Sequence, residues 1–180
     1  MEEREPVTSG HLTETGFFVE DADFEWDASF DKETDTSKGS MLHEINMNCS
    51  DKTLHAVVGA VGSGKSTLIS AILGDARCTK GKLHRFGSIA YVGQQPFIRN
   101  ATLRDNITFG RIFDHRRYQN AIRVSCLTDD LKILLGGDMT EIGEKGINLS
   151  GGQRTRVAIA RVVYQDADIY LLDDPLNSWC

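Results

Sequence analysis

The chain has 180 residues, 40% of them hydrophobic and 26% charged, with a formal net charge of −6. That composition fits one globular domain with a sizeable core, and its acidic balance supplies no bulk attraction toward nucleic acid. No apolar run approaches the roughly 18 to 20 residues that span a bilayer, and the polar opening MEEREPVTSG is unlike a secretory signal or transit peptide. The expectation is a soluble, cytosolic chain. Cys49, Cys78, Cys126 and Cys180 form no CxxC pair and are read as reduced thiols, and the five histidines show no spacing that suits zinc.

Residues 1–16, polar and acidic, are predicted to be a disordered tail. GFFVEDADFEW then reads as a strand-rich opening ending on Trp26, and DASFDKETDTSKGS as a surface loop. LHEINMNCS alternates, with Ile45, Met47 and Cys49 on one face and Asn46 and Asn48 on the other, which predicts a half-buried strand. LHAVV is predicted to be a short apolar strand. A helix over 66–73 groups Leu68, Ile69, Ile72 and Leu73 on one side and stops at Gly74. SIAYV is a further strand. The region from about Arg99 to Leu149 reads as helix and loop, with a helix near 118–126, another following Ser150, and IYLL as a final buried strand. Strands alternating with helices predict an α/β fold with a largely parallel core and a helical insert.

The segment GAVGSGKST, Gly59 to Thr67, matches G-x-x-x-x-G-K-[ST] through Gly59, Gly64, Lys65 and Ser66, after the predicted strand LHAVV and at the start of a helix. Glycines, Gly62 among them, let the backbone curl so that several N–H groups point into one concavity and meet phosphate oxygens. The helix opening there adds the positive end of its dipole. Lys65 can reach the β- and γ-phosphates, and the Ser66 hydroxyl can take one position on Mg²⁺. A second phosphate-friendly stretch is NLSGGQRTRVAIAR, where Ser150 is a good N-cap and Gly151 and Gly152 permit close backbone approach ahead of an apolar helix. Two anion-binding helix ends in one domain point to two nucleotides, the second belonging to a partner.

LSGGQ, downstream of GAVGSGKST and upstream of IYLLDD, resembles the nucleotide-binding domain of an ABC transporter. The stretch between Gln94 and Leu149 is short, where the related chromosome-maintenance ATPases carry a long coiled coil. AYVGQQPFIRNATLRDNITFG, GDMTEIGEKGINLSGGQ and DADIYLLDDPL are similar to the C subfamily, the multidrug-resistance-associated proteins, and to the first of their two nucleotide domains. The resemblance covers residues 17–178 and implies a P-loop NTPase core with an N-terminal antiparallel β portion and a helical insert at about 99–165. It implies binding of ATP and Mg²⁺. Trp26 would stack on adenine, Gln94 would sense the metal and contact the membrane domains, and Asp173 would be the metal-associated carboxylate. Thr67 would join the phosphate loop in binding the nucleotide, and Ser150, Gly151, Gly152 and Gln153 would face the partner's ATP. The implied partners are a second nucleotide-binding domain, closing head to tail, and transmembrane domains that export organic anions or drug conjugates. The implied location is the cytoplasmic face of a membrane.

The sequence departs from the family pattern in places. Hydrolysis in the family uses a carboxylate after the strand aspartate and a downstream histidine. Here the first is Asp174, one methylene shorter than glutamate, and no histidine follows His115. Moving a water by about 1 Å can cost on the order of 100-fold in rate. Gly93 stands where the subfamily often has proline, and NSWC replaces the usual continuation after the aspartates. The expectation is a domain incomplete at its C-terminus, marginally stable alone, with slow or no hydrolysis. A second expectation stays open beside the transporter domain: a non-catalytic, regulatory ATP-binding module or inactive fragment. A third, a soluble relative acting on ribosomes, is disfavoured because DDPL stands where those proteins resemble DEPTNHLD.

Overall fold

The structure, a computed structural model, describes residues 15–25, 42–50, 52–143 and 148–175. The chain divides into two compact units, Met1–Phe86 and Gly87–Cys180. In the first, β1 (Gly16–Glu25) lies at the centre of an antiparallel sheet between β2 (Leu42–Cys49) and β3 (Arg77–Phe86). Phe17 and Val19 are buried on one phase of β1, and Ala22 and Phe24 on the opposite phase. A register shift between Val19 and Ala22, with Asp21 at φ 43°, absorbs the extra residue and keeps all four on the core face. Asn46 of β2 stitches this irregularity: its amide donates to Asp21 Oδ1 at 2.8 Å, and its own Oδ1 accepts the Asp21 N–H at 3.0 Å.

Helix α1 (Lys65–Leu73) buries Thr67, Leu68, Ala71 and Ile72. Its carbonyl end is closed twice. Gly74, left-handed at φ 97°, returns its N–H to Ser70 and Ala71, and Arg85 of β3 donates to the Ile72 and Leu73 carbonyls at 3.0 and 2.7 Å. The other face of the sheet carries a stack of Phe18 on His84 and Phe86, with ring centroids 4.7 and 6.1 Å apart.

In the second unit β4 (Ile89–Val92) and β7 (Ile169–Leu172) pair in parallel, Ile89 opposite Ile169 and Val92 opposite Leu172. Between them run β5 (Ala101–Thr102), α2 (Leu103–Thr108), α3 (His115–Val124), α4 (Thr128–Ile133), a 3₁₀ turn (Gly137–Met139), β6 (Glu141–Ile142) and α5 (Gly151–Gln165). Helix α5 is apolar on two sides. Val157, Ala160 and Tyr164 pack among Leu103, Ile107, Tyr118, Ala121 and Ile122, while Ala158, Ile159 and Val162 pack on Ala90 and Val92. The Tyr164 hydroxyl donates to the Ile112 carbonyl at 2.6 Å and accepts the Asp114 N–H at 2.9 Å. The buried Arg161 donates to the Asn106 carbonyl at 2.7 Å and lies 4.6 Å from the centre of the Phe109 ring. Burial, with the nearby Arg99, lowers its pKa to about 10, so it stays charged at neutral pH.

The mixed α/β architecture with an N-terminal antiparallel sheet agrees with the sequence, and so does the alternation along β2. Among the described residues the parallel pairing is confined to β4 and β7, while the largest sheet is antiparallel. Two local readings are corrected, and one strand is new. LHAVV is not a strand: both edges of β1 are occupied, and Leu54 and Val58 are 98% and 91% exposed. β-branched residues favour a strand only where a neighbouring edge supplies the ladder and a face to cover. IYLL is half-buried, Ile169 and Leu171 facing in and Tyr170 and Leu172 facing out. And β3, RCTKGKLHRF, forms without apolar periodicity because it adds to the free edge of β1. The 1–14 part of the predicted tail, the 26–41 segment and Trp26 lie outside the described residues.

A carboxylate clasp holds the parallel pair together. The backbone N–H and hydroxyl of Ser88 both donate to Asp168 Oδ2 at 2.7 Å, and these bonds hold the Asp168 carboxyl below its ordinary 3.8. Because the folded pKa is depressed, the clasp contributes fully above pH 3.8 and is lost as pH falls through the folded value. Thermal unfolding followed from pH 6 down to about pH 2 should show the midpoint falling in this acid range, and Asp168→Asn should flatten that fall. An unchanged acid profile in the variant would show that the clasp carries no stability.

Candidate functional site

The loop Gly59–Gly64 leads into α1. Gly62 and Gly64 sit at φ 81° and 90°, a region that side chains other than glycine rarely adopt, and a Cβ on Gly59 would lie 2.6 Å from the Ser63 hydroxyl. The turn is closed by the Ser63 N–H to the Ala60 carbonyl at 3.2 Å. Gly64, the N-cap of α1, provides no side-chain cap, so the first turn of the helix keeps N–H groups directed out of its end. The Lys65 ammonium bends back across the loop and donates to the carbonyls of Gly59 and Ala60 at 2.9 and 2.8 Å. A cation held by two neutral carbonyls can exchange them for oxyanions at a gain, because charged acceptors make the stronger bonds. Ser66 is exposed one residue on, and Thr67 is buried. These residues fit a nucleotide triphosphate: an N–H cradle, a dipole end and a movable ammonium at one place.

Because β4 and β7 are parallel and end in register, the segments that follow leave from the same end of the sheet. Asp173 extends the ladder by donating its N–H to the Val92 carbonyl at 2.9 Å. Asp174 is exposed and left-handed at φ 50°, a conformation that aspartate tolerates better than most side chains. On the neighbouring strand Gly93 packs beside the Tyr91 ring, and Gln94 is exposed in the bend beyond it. The carboxyl ends of parallel strands are where open α/β sheets hold ligands. Gln94, Asp173 and Asp174 therefore share one end of the second unit. Among the described residues no group of three His, Cys, Asp or Glu forms a metal cage. A Mg²⁺ ion that keeps waters and phosphate oxygens needs only one or two protein ligands, and these residues fit that chemistry.

Helix α5 begins with a reciprocal capping box. Ser150 Oγ accepts the Gln153 N–H at 3.2 Å, and Gln153 Oε1 accepts the Ser150 N–H at 2.9 Å. The Gln153 amide also donates to Asp130 Oδ1 at 3.1 Å, and Arg156 holds the same carboxylate with two bonds of 2.7 and 3.0 Å. Burial raises the Asp130 pKa, but hydrogen bonds from Arg156 and Gln153 outweigh it and leave the carboxyl below the ordinary carboxylate range. Sequence reasoning named Ser150 and Gln153 but missed Asp130 and Arg156, which are joined only by folding. A Cβ on Gly151 would meet nothing within 4 Å. Nothing in the chain's own packing demands glycine there.

A glycine loop of this geometry at the start of a helix is the pattern of P-loop nucleotide-binding proteins. The ABC transporter family model matches residues 42–177, and the chain belongs to that family. It is 47% identical over 174 residues to ABC transporter C family member 8 of Dictyostelium discoideum, covering 96% of this chain and 10% of that protein. It is 53% identical over 151 residues to multidrug resistance protein mrp-7 of Caenorhabditis elegans, 84% of this chain and 10% of that protein. It is 55% identical over 137 residues to ATP-binding cassette sub-family C member 3 of Homo sapiens, 76% of this chain and 9% of that protein. The chain is thus an ATP-binding domain of the multidrug-resistance type, and it spans about a tenth of the length of these curated relatives.

The open surroundings of Gly151 give a direct test. Gly151→Ala should raise stability by about 0.4–1 kcal/mol, the effect of removing glycine freedom at a compatible helical position. Urea unfolding measures this, and a loss of stability would mean that the chain itself needs glycine there.

Proposed function

We propose that the chain binds ATP with Mg²⁺ through Gly59, Gly62, Gly64, Lys65, Ser66 and Thr67, as the nucleotide-binding domain of a transporter that exports organic anions or drug conjugates. In this reading residues 17–178 form one nucleotide-binding domain with a helical insert at about 99–165. Ser66, Gln94 and Asp173 serve the metal, Asp174 polarises the attacking water, and Trp26 stacks on adenine. Ser150, Gly151, Gly152 and Gln153 meet the ATP of a second nucleotide-binding domain, closed head to tail. The domain works at the cytoplasmic face of a membrane, attached to transmembrane domains. No helix among the described residues is long and apolar enough to cross a membrane, so the spanning part belongs to other segments in this reading. The observation that carries it is the Lys65 ammonium lying across a glycine loop at an uncapped helix start. The shared end of β4 and β7 supports the roles of Gln94 and Asp173, and the open Gly151 supports an approach by an outside group.

Hydrolysis rests on Asp174, and one feature favours a second reading, a regulatory module that binds ATP without turnover. The carboxylate is aspartate, one methylene short for reaching water. ATP binding and phosphate release, measured with and without Lys65→Ala, decide between the two. The substitution removes a charge-assisted contact worth roughly 1.5–3 kcal/mol, so ATP affinity should fall about 10- to 100-fold. Turnover that Lys65→Ala and Asp174→Asn both abolish supports the ATPase. Lys65-dependent binding without phosphate release supports the regulatory module, and absence of ATP binding overturns both.

A further inference from the structure

In the LSGGQ stretch Leu149 packs against the core, and Gln153 is the half-buried polar side chain. Both ends of its amide are committed, the oxygen to the Ser150 N–H and the nitrogen to Asp130. Asp130 in turn comes from α4, 26 residues away in sequence from Arg156, and is held by a two-point guanidinium contact. The pair is largely sheltered, with the side chains of Arg156 and Asp130 22% and 12% exposed. The chain of contacts therefore runs from a rigid ion pair, through one amide, to the backbone N–H at the N-cap of α5.

We propose that Asp130 is a positioning residue that sets the N-terminal turn of α5 for an incoming phosphate, acting through Gln153, with Arg156 neutralising its charge. The proposal rests on the reading that Ser150 to Gln153 receive the nucleotide of a second domain. Its chemistry is specific. A carboxylate close to a helix start meant for an anion is repulsive unless paired, and Arg156 removes that repulsion while fixing the carboxylate plane. The amide of Gln153 then turns its donor to the acid and its acceptor to the backbone, which locks the turn in one geometry.

Four variants of the 180-residue chain test this: Asp130→Ala, Asp130→Asn, Gln153→Leu and the Asp130→Ala/Gln153→Leu double. Amide hydrogen exchange is read along α5 by NMR, and ATP binding is read at the Lys65 loop. Losing a hydrogen bond to a charged group costs roughly 1.5–3 kcal/mol, so exchange at Ser150 and Gln153 should quicken about tenfold or more in Asp130→Ala. Exchange from Val157 to Val162 and the ATP affinity should stay as in the unmodified chain. Asp130→Asn keeps an acceptor for the Gln153 amide and should restore most of the protection. In amide exchange at Ser150, Gln153→Leu should match Asp130→Ala, and the double variant should add nothing to either.

Equal loss along the whole helix, failure of Asp130→Asn to restore protection, or additive single effects would each overturn the positioning role. ATP-driven pairing of two copies, followed by sedimentation, separates this from the functional reading. Weaker pairing in Asp130→Ala at unchanged ATP affinity supports the proposal, and pairing equal to that of the unmodified chain overturns it. Pairing abolished by Lys65→Ala but never altered by any change at Ser150 to Gln153 overturns the reading on which the proposal rests.

Discussion

The second unit depends on the burial of α5 on two faces. A 15-residue helix that packs Val157, Ala160 and Tyr164 into a helical layer, and Ala158, Ile159 and Val162 onto β4, cannot shift or rotate without opening both. Close packing of that kind fixes the helix axis, and Tyr164 and Arg161 fix its rotation through hydrogen bonds to the segments around Ile112 and Asn106. The N-terminal turn inherits this rigidity. Its capping box and the Asp130 contact are attached to a closely packed body, so hydrogen bonds there hold the turn in one geometry.

The first unit solves a different problem. A phosphate cradle needs backbone N–H groups aimed at one point and a positive charge that can move, and both are costly in an ordinary turn. Positive φ at Gly62 and Gly64 provides the first, and the Lys65 ammonium, resting on the Gly59 and Ala60 carbonyls, provides the second. α1 anchors the cradle from behind, its far end closed by Gly74 and Arg85. The ammonium rests on neutral carbonyls that an oxyanion can replace, so its donors stay exchangeable.

What the sequence disclosed follows the range of the interactions concerned. The glycine turn into α1, the Ser150 cap and the alternation along β2 are written in neighbouring residues, and each was legible from spacing alone. The β3 strand was not, because RCTKGKLHRF carries no apolar period and owes its form to the edge of β1. LHAVV misled for the converse reason: its residues have strand propensity, but no ladder forms on them among the described residues. Asp130 and Arg156 lie on separate helices, so neither residue advertises the other. The Asp21 irregularity was hidden too, since it shows only as a phase change in which side chains are buried.

The commitment of both ends of the Gln153 amide has a further consequence. Capping boxes accept glutamine or glutamate at this position, since either offers an oxygen to the N-cap N–H. Here the second atom of the group decides the matter. A glutamate would keep the bond to Ser150 but set its other oxygen against Asp130, two acids sharing one guanidinium. The choice of an amide is therefore made by a residue on another helix, and a local motif becomes the visible end of a longer-range constraint.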